Sequence, residues 1–142
     1  MTDARPLRVP DGFSPMQTRG PFTDINGPIW RKPGHNGAIP QFGFLPEKRH
    51  TNSLGFVHGG MLSTLMDSAM AQAAYEHFRC RLVTLTLQVQ FHSAVFRGRW
   101  AEIEVGEPVQ TGTDVALTAT LRSRGALCLE SEATFRLFPR AK

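Results

Sequence analysis

Cysteine is scarce in this 142-residue chain: Cys80 and Cys128 are the only two, and they do not form a CxxC pair. Two isolated thiols argue against a disulfide-stapled or zinc-knuckle protein and read as small buried hydrophobes in a reducing compartment. A cytoplasmic protein is the expectation. Long hydrophobic runs are missing too. No stretch approaches the ~18 unbroken apolar residues of a membrane-spanning helix. The first twenty residues carry Arg5, Arg8, Asp11 and Arg19 with Pro6, Pro10 and Pro15, and no apolar segment follows a charged start, so no secretory leader is expected. Several chemical signatures are also absent. There is no GxSxG elbow for a serine triad. The five histidines (35, 50, 58, 77 and 92) show no HExxH or related metal spacing. No glycine-rich phosphate loop or dinucleotide fingerprint occurs, and no cofactor is expected. The formal charge of +4 favours anionic partners. The basic residues are scattered, however, and match no nucleic-acid-binding motif.

What is present is one domain's worth of core, with 41% hydrophobic residues. Residues 1–20 read as a proline-rich arm with a short helical turn near Phe13–Gln17, and residues 21–142 as a single domain. Prolines and glycines punctuate residues 20–45, leaving short strands at Ile29–Arg31 and Phe42–Leu45. The segment 59–78 is a helix: Leu62, Leu65, Met66, Ala69, Ala73 and Phe78 recur at helical spacing, while Ser63, Thr64, Asp67, Ser68 and Gln72 gather on the rest of its surface. The period then changes to two. Val83, Leu85, Leu87, Val89 and Phe91 alternate with Thr84, Thr86, Gln88, Gln90 and His92, which predicts a half-buried strand with one polar face. Similar patterns over 100–106, 114–122 and 127–138 predict three more. One helix followed by four strands, paired as an antiparallel meander under that helix, is an α+β arrangement.

The run from His50 through Asn52 to His58-Gly59-Gly60, with Asp67 beyond it, forms the pattern Asn-x5-His-Gly-Gly-x6-Asp. This resembles the hotdog-fold thioesterase superfamily, within it the small phenylacetyl-CoA-type, 4-hydroxybenzoyl-CoA-type and human-type acyl-CoA thioesterases. The resemblance spans roughly residues 20–138 in element order. It implies a five- to six-stranded antiparallel sheet wrapped around one long helix, in a homodimer that often pairs into a tetramer. It also implies roles: Asp67 as catalytic carboxylate, the Gly59 amide as oxyanion donor, Asn52 and His58 beside the thioester, and Thr84 positioning water. The family more often carries serine at this last place. The loop Ser93–Phe96 lacks a proline common in the family.

The chemistry needs such groups. Water attacking a thioester carbonyl builds a negative oxygen, which a preorganised N–H stabilises while a carboxylate takes the proton or attacks directly. Helix N-terminal amides lack intrahelical partners and lie at the positive end of the dipole. Glycines at 59 and 60 keep that approach clear. Blander readings stand beside each role. Asp67 alone would be part of a solvated helix face, His58 a cap, Asn52 a turn residue, and Thr84 a strand residue chosen for β-propensity. Geometry adds one expectation. Gly59 and Asp67 are eight residues apart, about 12 Å along a helix. One helix cannot readily bring both to one carbonyl, so two subunits with antiparallel helices should share each site.

The phosphates of coenzyme A call for Arg or Lys at the rim; Arg97 and Arg99 are the first candidates, Arg122 and Arg124 the second. Phe56, Val57, Met66 and Met70 are candidate walls for the acyl group, and Gly60 is a candidate substrate contact in the turn that meets the thioester carbonyl. A hotdog dimer that binds acyl-CoA without turnover is the rival reading. A purely structural protein would not need Asn52, His58 and Asp67 together, and hotdog dehydratases differ around their histidine.

Overall fold

The computed structural model describes residues 8–17 and 20–140; Arg5, Pro6 and Arg19 of the arm lie outside them. The elements in chain order are β1 (Ser14–Pro15), α1 (Pro21–Asn26), β2 (Trp30–Lys32), β3 (Gln41–Phe44), α2 (Gly59–Phe78), β4 (Arg81–Phe91), β5 (Ala101–Val105), β6 (Val109–Thr111), β7 (Asp114–Ser123) and β8 (Ala126–Phe138), with single 3-10 turns at His35–Gly37 and Lys48–His50. The strands form one antiparallel sheet in the order β1-β2-β3-β5-β7-β8-β4, and β6 adds to β7. The long helix α2 packs on this sheet, the hotdog arrangement.

The helical period at 59–78 is answered by burial. Leu62, Leu65, Met66, Ala69, Met70, Ala73 and Ala74 face the sheet, where Phe42, Phe44, Ile103, Leu121, Leu129 and Phe135 meet them as fully buried side chains. The helix ends at Arg79, which takes a left-handed conformation (φ 55°) and donates its N–H to the Tyr75 carbonyl at 2.8 Å. That is the usual way to close the last turn. Near this end Arg31 of β2 forms a salt bridge with Glu76, with Nε to Oε2 at 3.0 Å. Gln72 donates to the same carboxylate at 3.1 Å. The first strands are thereby tied to the C-terminal half of α2. Gly43 of β3 is required by close approach: a Cβ there would lie 2.1 Å from the Trp100 indole.

Four features depart from the sequence-based expectation. The Phe13–Gln17 segment contains not a helical turn but β1, whose Ser14 and Pro15 pair with Arg31 and Trp30; a proline is tolerated there because the strand is at the sheet edge. Eight strands occur among the described residues rather than five or six, because the two- and three-residue strands β1 and β6 carry no readable periodicity. A second, six-residue helix, α1, starts with Pro21 at its first position. The four later strands are not a simple meander. Among the described residues β4 pairs only with β8 and forms an edge of the sheet, whereas β5 is inserted between β3 and β7.

Candidate active site

The 47–60 segment leads into α2 and is built largely from its own polar groups. Asn52 Oδ1 accepts the N–H groups of Leu54 (2.9 Å) and Phe56 (3.2 Å), and the Asn52 N–H donates to the Phe56 carbonyl at 2.7 Å. Asn52 thus closes a tight loop, the turn role that its side chain suits. Val57 is buried and donates to the Val95 carbonyl (2.9 Å), and His58 N–H donates to the His50 carbonyl (2.9 Å). His58 is the N-cap of α2: its Nδ1 accepts the Gly60 N–H at 2.9 Å. An accepting Nδ1 fixes the neutral tautomer with its proton on Nε2. A Cβ on residue 60 would come within 3.0 Å of that Nδ1, so glycine leaves room for the cap. With the Gly60 amide occupied by His58, the Gly59 N–H is left without a hydrogen-bond partner among the described residues. A Cβ on residue 59 would lie 3.6 Å from the Phe91 ring.

Two turns further along α2, Asp67 Oδ1 accepts a hydrogen bond from Thr84 Oγ1 at 2.8 Å. Strict alternation along β4 would put Thr84 with Thr86, Gln88 and Gln90 on the polar face, away from the helix. A β-bulge prevents this. Thr84 pairs with Phe135 and Thr86 with Thr134, so Leu85 is an extra residue on the β4 side. Before the bulge, Leu82 and Thr84 face the helix; after it, Leu87, Val89 and Phe91 do. Bulges re-aim side chains in this way, often beside functional sites. Asp67 is half-buried and Thr84 exposed.

The remaining candidates separate into groups. Phe56 stacks edge-on against Phe96 (centroids 5.2 Å apart), and the Arg124 guanidinium lies 4.8 Å from the Phe96 centroid. Arg124 reaches it from the tight β7–β8 turn, where Arg124 and Gly125 both have positive φ, the geometry of a two-residue hairpin loop. Arg97 and Arg99 are exposed on the turn just after Phe96. Arg122 is apart from these three: it is on the outer face of β7, opposite Glu102. Met66 and Met70 are 0% exposed and belong to the hydrophobic core between α2 and the sheet rather than to an open pocket wall of this chain.

Sequence reasoning does not distinguish His50 beyond its place in the motif run. It is 4% exposed, its Nδ1 accepts the Glu47 N–H at 3.0 Å, and its Nε2 donates to the Asn26 carbonyl at 2.7 Å. Burial holds this imidazole below the ordinary value of 6.5, outweighing the Asn26 carbonyl, which favours the protonated form. Arg49 beside it donates to the carbonyls of Ile25 and Gly27. The only advance signal is a histidine two positions before Asn52, which names no role. Among the described residues no three His, Cys, Asp or Glu side chains cluster as metal ligands.

This geometry can be set beside known proteins. A family model described as "Thioesterase superfamily" matches residues 54–119. The chain is also 31% identical over 99 residues, 68% of its own length and 73% of the relative's, to "Putative esterase PA0474" of Pseudomonas aeruginosa. It belongs to the thioesterase superfamily. Among solved structures, the TT0310 protein of Thermus thermophilus superposes with a TM-score of 0.73 at 23% identity, covering 85% of this chain and 100% of that one. The smu.793 protein of Streptococcus mutans, solved bound to acetyl CoA, superposes with a TM-score of 0.65 at 19% identity, over 72% and 82%. At such identities the thioesterase-superfamily chain shares a fold with them. No helix among its described residues is long and apolar enough to cross a membrane.

Proposed function

We propose that this member of the thioesterase superfamily is an acyl-CoA thioesterase, converting acyl-CoA and water into a carboxylic acid and free CoA. The observation that carries the reading is the Asp67–Thr84 pair: a helix carboxylate held through one oxygen at 2.8 Å, its other oxygen uncommitted among the described residues, on a face not covered by the core. Asp67 takes a proton from the attacking water as the new C–O bond forms. The carbonyl electrons move onto oxygen, where the Gly59 N–H donates to them. As the tetrahedral species collapses, the C–S bond breaks and the leaving CoA sulfur takes from the Asp67 carboxyl the proton that came from water. His58 supports the site indirectly, by taking the Gly60 amide and fixing where α2 begins. Asn52 shapes the loop ahead of it.

Gly59 and Asp67 lie about 12 Å apart along one helix, so the active unit is a homodimer in which one subunit's Gly59 faces the other's Asp67. β4 supports this. Among the described residues it is an edge strand with one side unpaired, and Val83 (47%), Leu85 (43%) and Phe91 (48%) are exposed along it. An unprotected apolar edge is a template for pairing with another strand. For CoA, the group formed by Phe56, Phe96, Arg97, Arg99 and Arg124 offers aromatic faces and cations at the glycine end of α2. The bound acetyl CoA of the Streptococcus mutans relative is consistent with a CoA ligand. Arg122, on the outer face, is the weakest of the arginine candidates.

Thiol release from a panel of aryl-, short- and medium-chain acyl-CoAs, with wild type against Asp67→Asn, tests the reading. Turnover in the wild type should fall ~10²–10⁴-fold in the folded variant. No turnover with any thioester, or equal rates in both proteins, would favour a non-catalytic acyl-CoA-binding protein instead.

A further inference from the structure

Phe91, the last residue of β4, is 48% exposed, yet its ring is not turned to the outer face of the sheet. It lies on the helix side, with Cζ and Cε1 3.6 and 3.7 Å from the place of a Cβ on residue 59. On one flank stands its β8 neighbour Leu129, which is fully buried. The other flank is the open edge of β4. A large aromatic ring beside the Gly59 amide is thus covered on one side only. What completes its cover is whatever pairs with that edge.

The shared site proposed above fixes where a second copy must lie. A two-fold axis that sets one subunit's Gly59 against the other's Asp67 also sets what flanks Gly59 against what holds Asp67. Phe91 flanks the first and Thr84 holds the second. The axis therefore crosses β4 midway between them. Position along this strand is given by the β8 residue that each one faces, since the extra Leu85 makes chain numbers misleading. Phe91 faces Leu129 and Thr84 faces Phe135; midway is Glu132, which faces Gln88. The two Gln88 residues then stand opposite each other, Leu87 opposite the partner's Val89, and Thr84 opposite the partner's Phe91. Thr84 and Phe91 are an odd number of residues apart, so an unbroken strand would put them on opposite faces. The bulge brings both to the helix side and lets one axis serve both. The backbone agrees. The His92 N–H donates to the Cys128 carbonyl (2.8 Å), and the Leu137 N–H donates to the Thr113 carbonyl, away from β4 (2.7 Å). By alternation Gln88 and Gln90 turn their backbone groups to β8, while Leu87, Val89 and Phe91 turn theirs to the open edge.

We propose that Phe91 belongs to the shared site in trans to the carboxylate. The dimer axis runs between paired Gln88 residues, and each Phe91 ring, beside its own Gly59, covers the partner's Asp67–Thr84 pair against bulk water. The proposal rests on the thioesterase reading and its dimer; it adds the strand register and a residue with a task. Excluding solvent there strengthens both the Gly59 hydrogen bond to the developing oxyanion and the hold of Asp67 on its water. Phe91 is a positioning residue.

The register is tested without substrate. In the full chain, Thr86→Cys, Gln88→Cys and Gln90→Cys each put one thiol at an exposed position of β4, while Cys80 and Cys128 are buried. Opposed Cα atoms of a non-hydrogen-bonded pair lie about 4.5 Å apart, within disulfide range, whereas two copies of residue 86, or of residue 90, would be about 13 Å apart. Mild oxidation should make Gln88→Cys a covalent dimer on non-reducing gels and leave the other two as single chains. A covalent dimer at 86 or 90, or none at 88, overturns the proposal. The role of Phe91 is tested in mixed dimers, with an Asp67→Asn and a Phe91→Ala subunit carrying different tags and purified through both. Each parent homodimer should lose at least about tenfold in kcat/KM, the scale on which misplaced groups lose rate. The mixed dimer has one site with both groups intact and should recover to about half the wild-type rate. A Phe91 serving its own chain's Asp67 would leave both sites damaged. A mixed dimer no better than its parents, or full activity in Phe91→Ala, therefore overturns the role in trans. Should Phe91→Ala not dimerise, Phe91→Leu takes its place. If the wild type turns over no thioester, the thioesterase reading has failed: a covalent dimer at 88 then retains the axis and removes the catalytic task of Phe91.

Discussion

At the scale of single residues, Thr84 carries more weight than its place in a run of alternating residues suggests. Its hydroxyl donates to Asp67, and a hydrogen bond to a charged group is worth about 1.5–3 kcal/mol. Thr84→Val keeps the shape and deletes the donor. It should lower kcat/KM for the best acyl-CoA by at least about tenfold, whereas Thr84→Ser should restore most of it. Steady-state kinetics on the three proteins checks this; equal rates for valine and threonine would leave the hydroxyl with no part in the reaction. The motif from Asn52 through His58 and Gly59 to Asp67 was legible because its spacing is specific. The Thr84–Asp67 contact was not, because it depends on Leu85 standing out of register. A period-two pattern conceals such a slip: the apolar residues keep alternating in sequence while the face they serve changes. His50 was illegible for a different reason. Its role lies in two hydrogen bonds to backbone groups, Glu47 N–H and Asn26 C=O, and backbone partners have no sequence signature.

At the scale of elements, α2 was readable from Gly59 to Phe78, because a two-sided pattern with alanine and methionine at helical spacing has few other solutions. The short pieces β1, α1 and β6, two to six residues each, are held by neighbours rather than by their own period. His50 shows how such pieces are held. It joins the segment entering α2 to the end of α1, and it does so as a neutral ring, since Nδ1 must accept. Its folded pKa lies below the ordinary 6.5. Below about 6.5 the unfolded chain therefore binds a proton that the folded one resists, and stability falls with falling pH until the folded pKa is passed. Above about 6.5 this contribution is fully present. His50→Gln can still accept from Glu47 and donate to Asn26 but does not titrate. Its urea midpoint should therefore drop less than that of the wild type between about pH 7.5 and 5.5. Parallel curves for the two proteins would assign the pH dependence elsewhere.

At the scale of the whole molecule, the edge position of β4 was beyond the sequence. Four alternating segments specify four strands but not their lateral order, and β5 is inserted between β3 and β7 while β4 borders β8 alone. That placement is what leaves Val83, Leu85 and Phe91 exposed along the strand that carries Thr84. Leu85→Lys puts a charge on this edge, a common device against strand pairing. The variant should elute as a monomer in size-exclusion chromatography with light scattering, and the wild type as the dimer proposed above. It should also lose most of the proposed thioesterase activity while keeping its far-UV circular dichroism. A fully active monomer would refute the shared site.

The bulge has one more implication, for chain length. Leu85 is a residue that β8 does not count: Thr84 and Thr86 already face the consecutive partners Phe135 and Thr134. Removing it would let the strand run on evenly, with Leu82 and Thr84 still toward the helix and Leu87, Val89 and Phe91 following in step. A relative one residue shorter here would thus show a gap in a sequence alignment yet superimpose atom for atom at the carboxylate, and residue counting back from the end of the strand would misplace its hydroxyl by one.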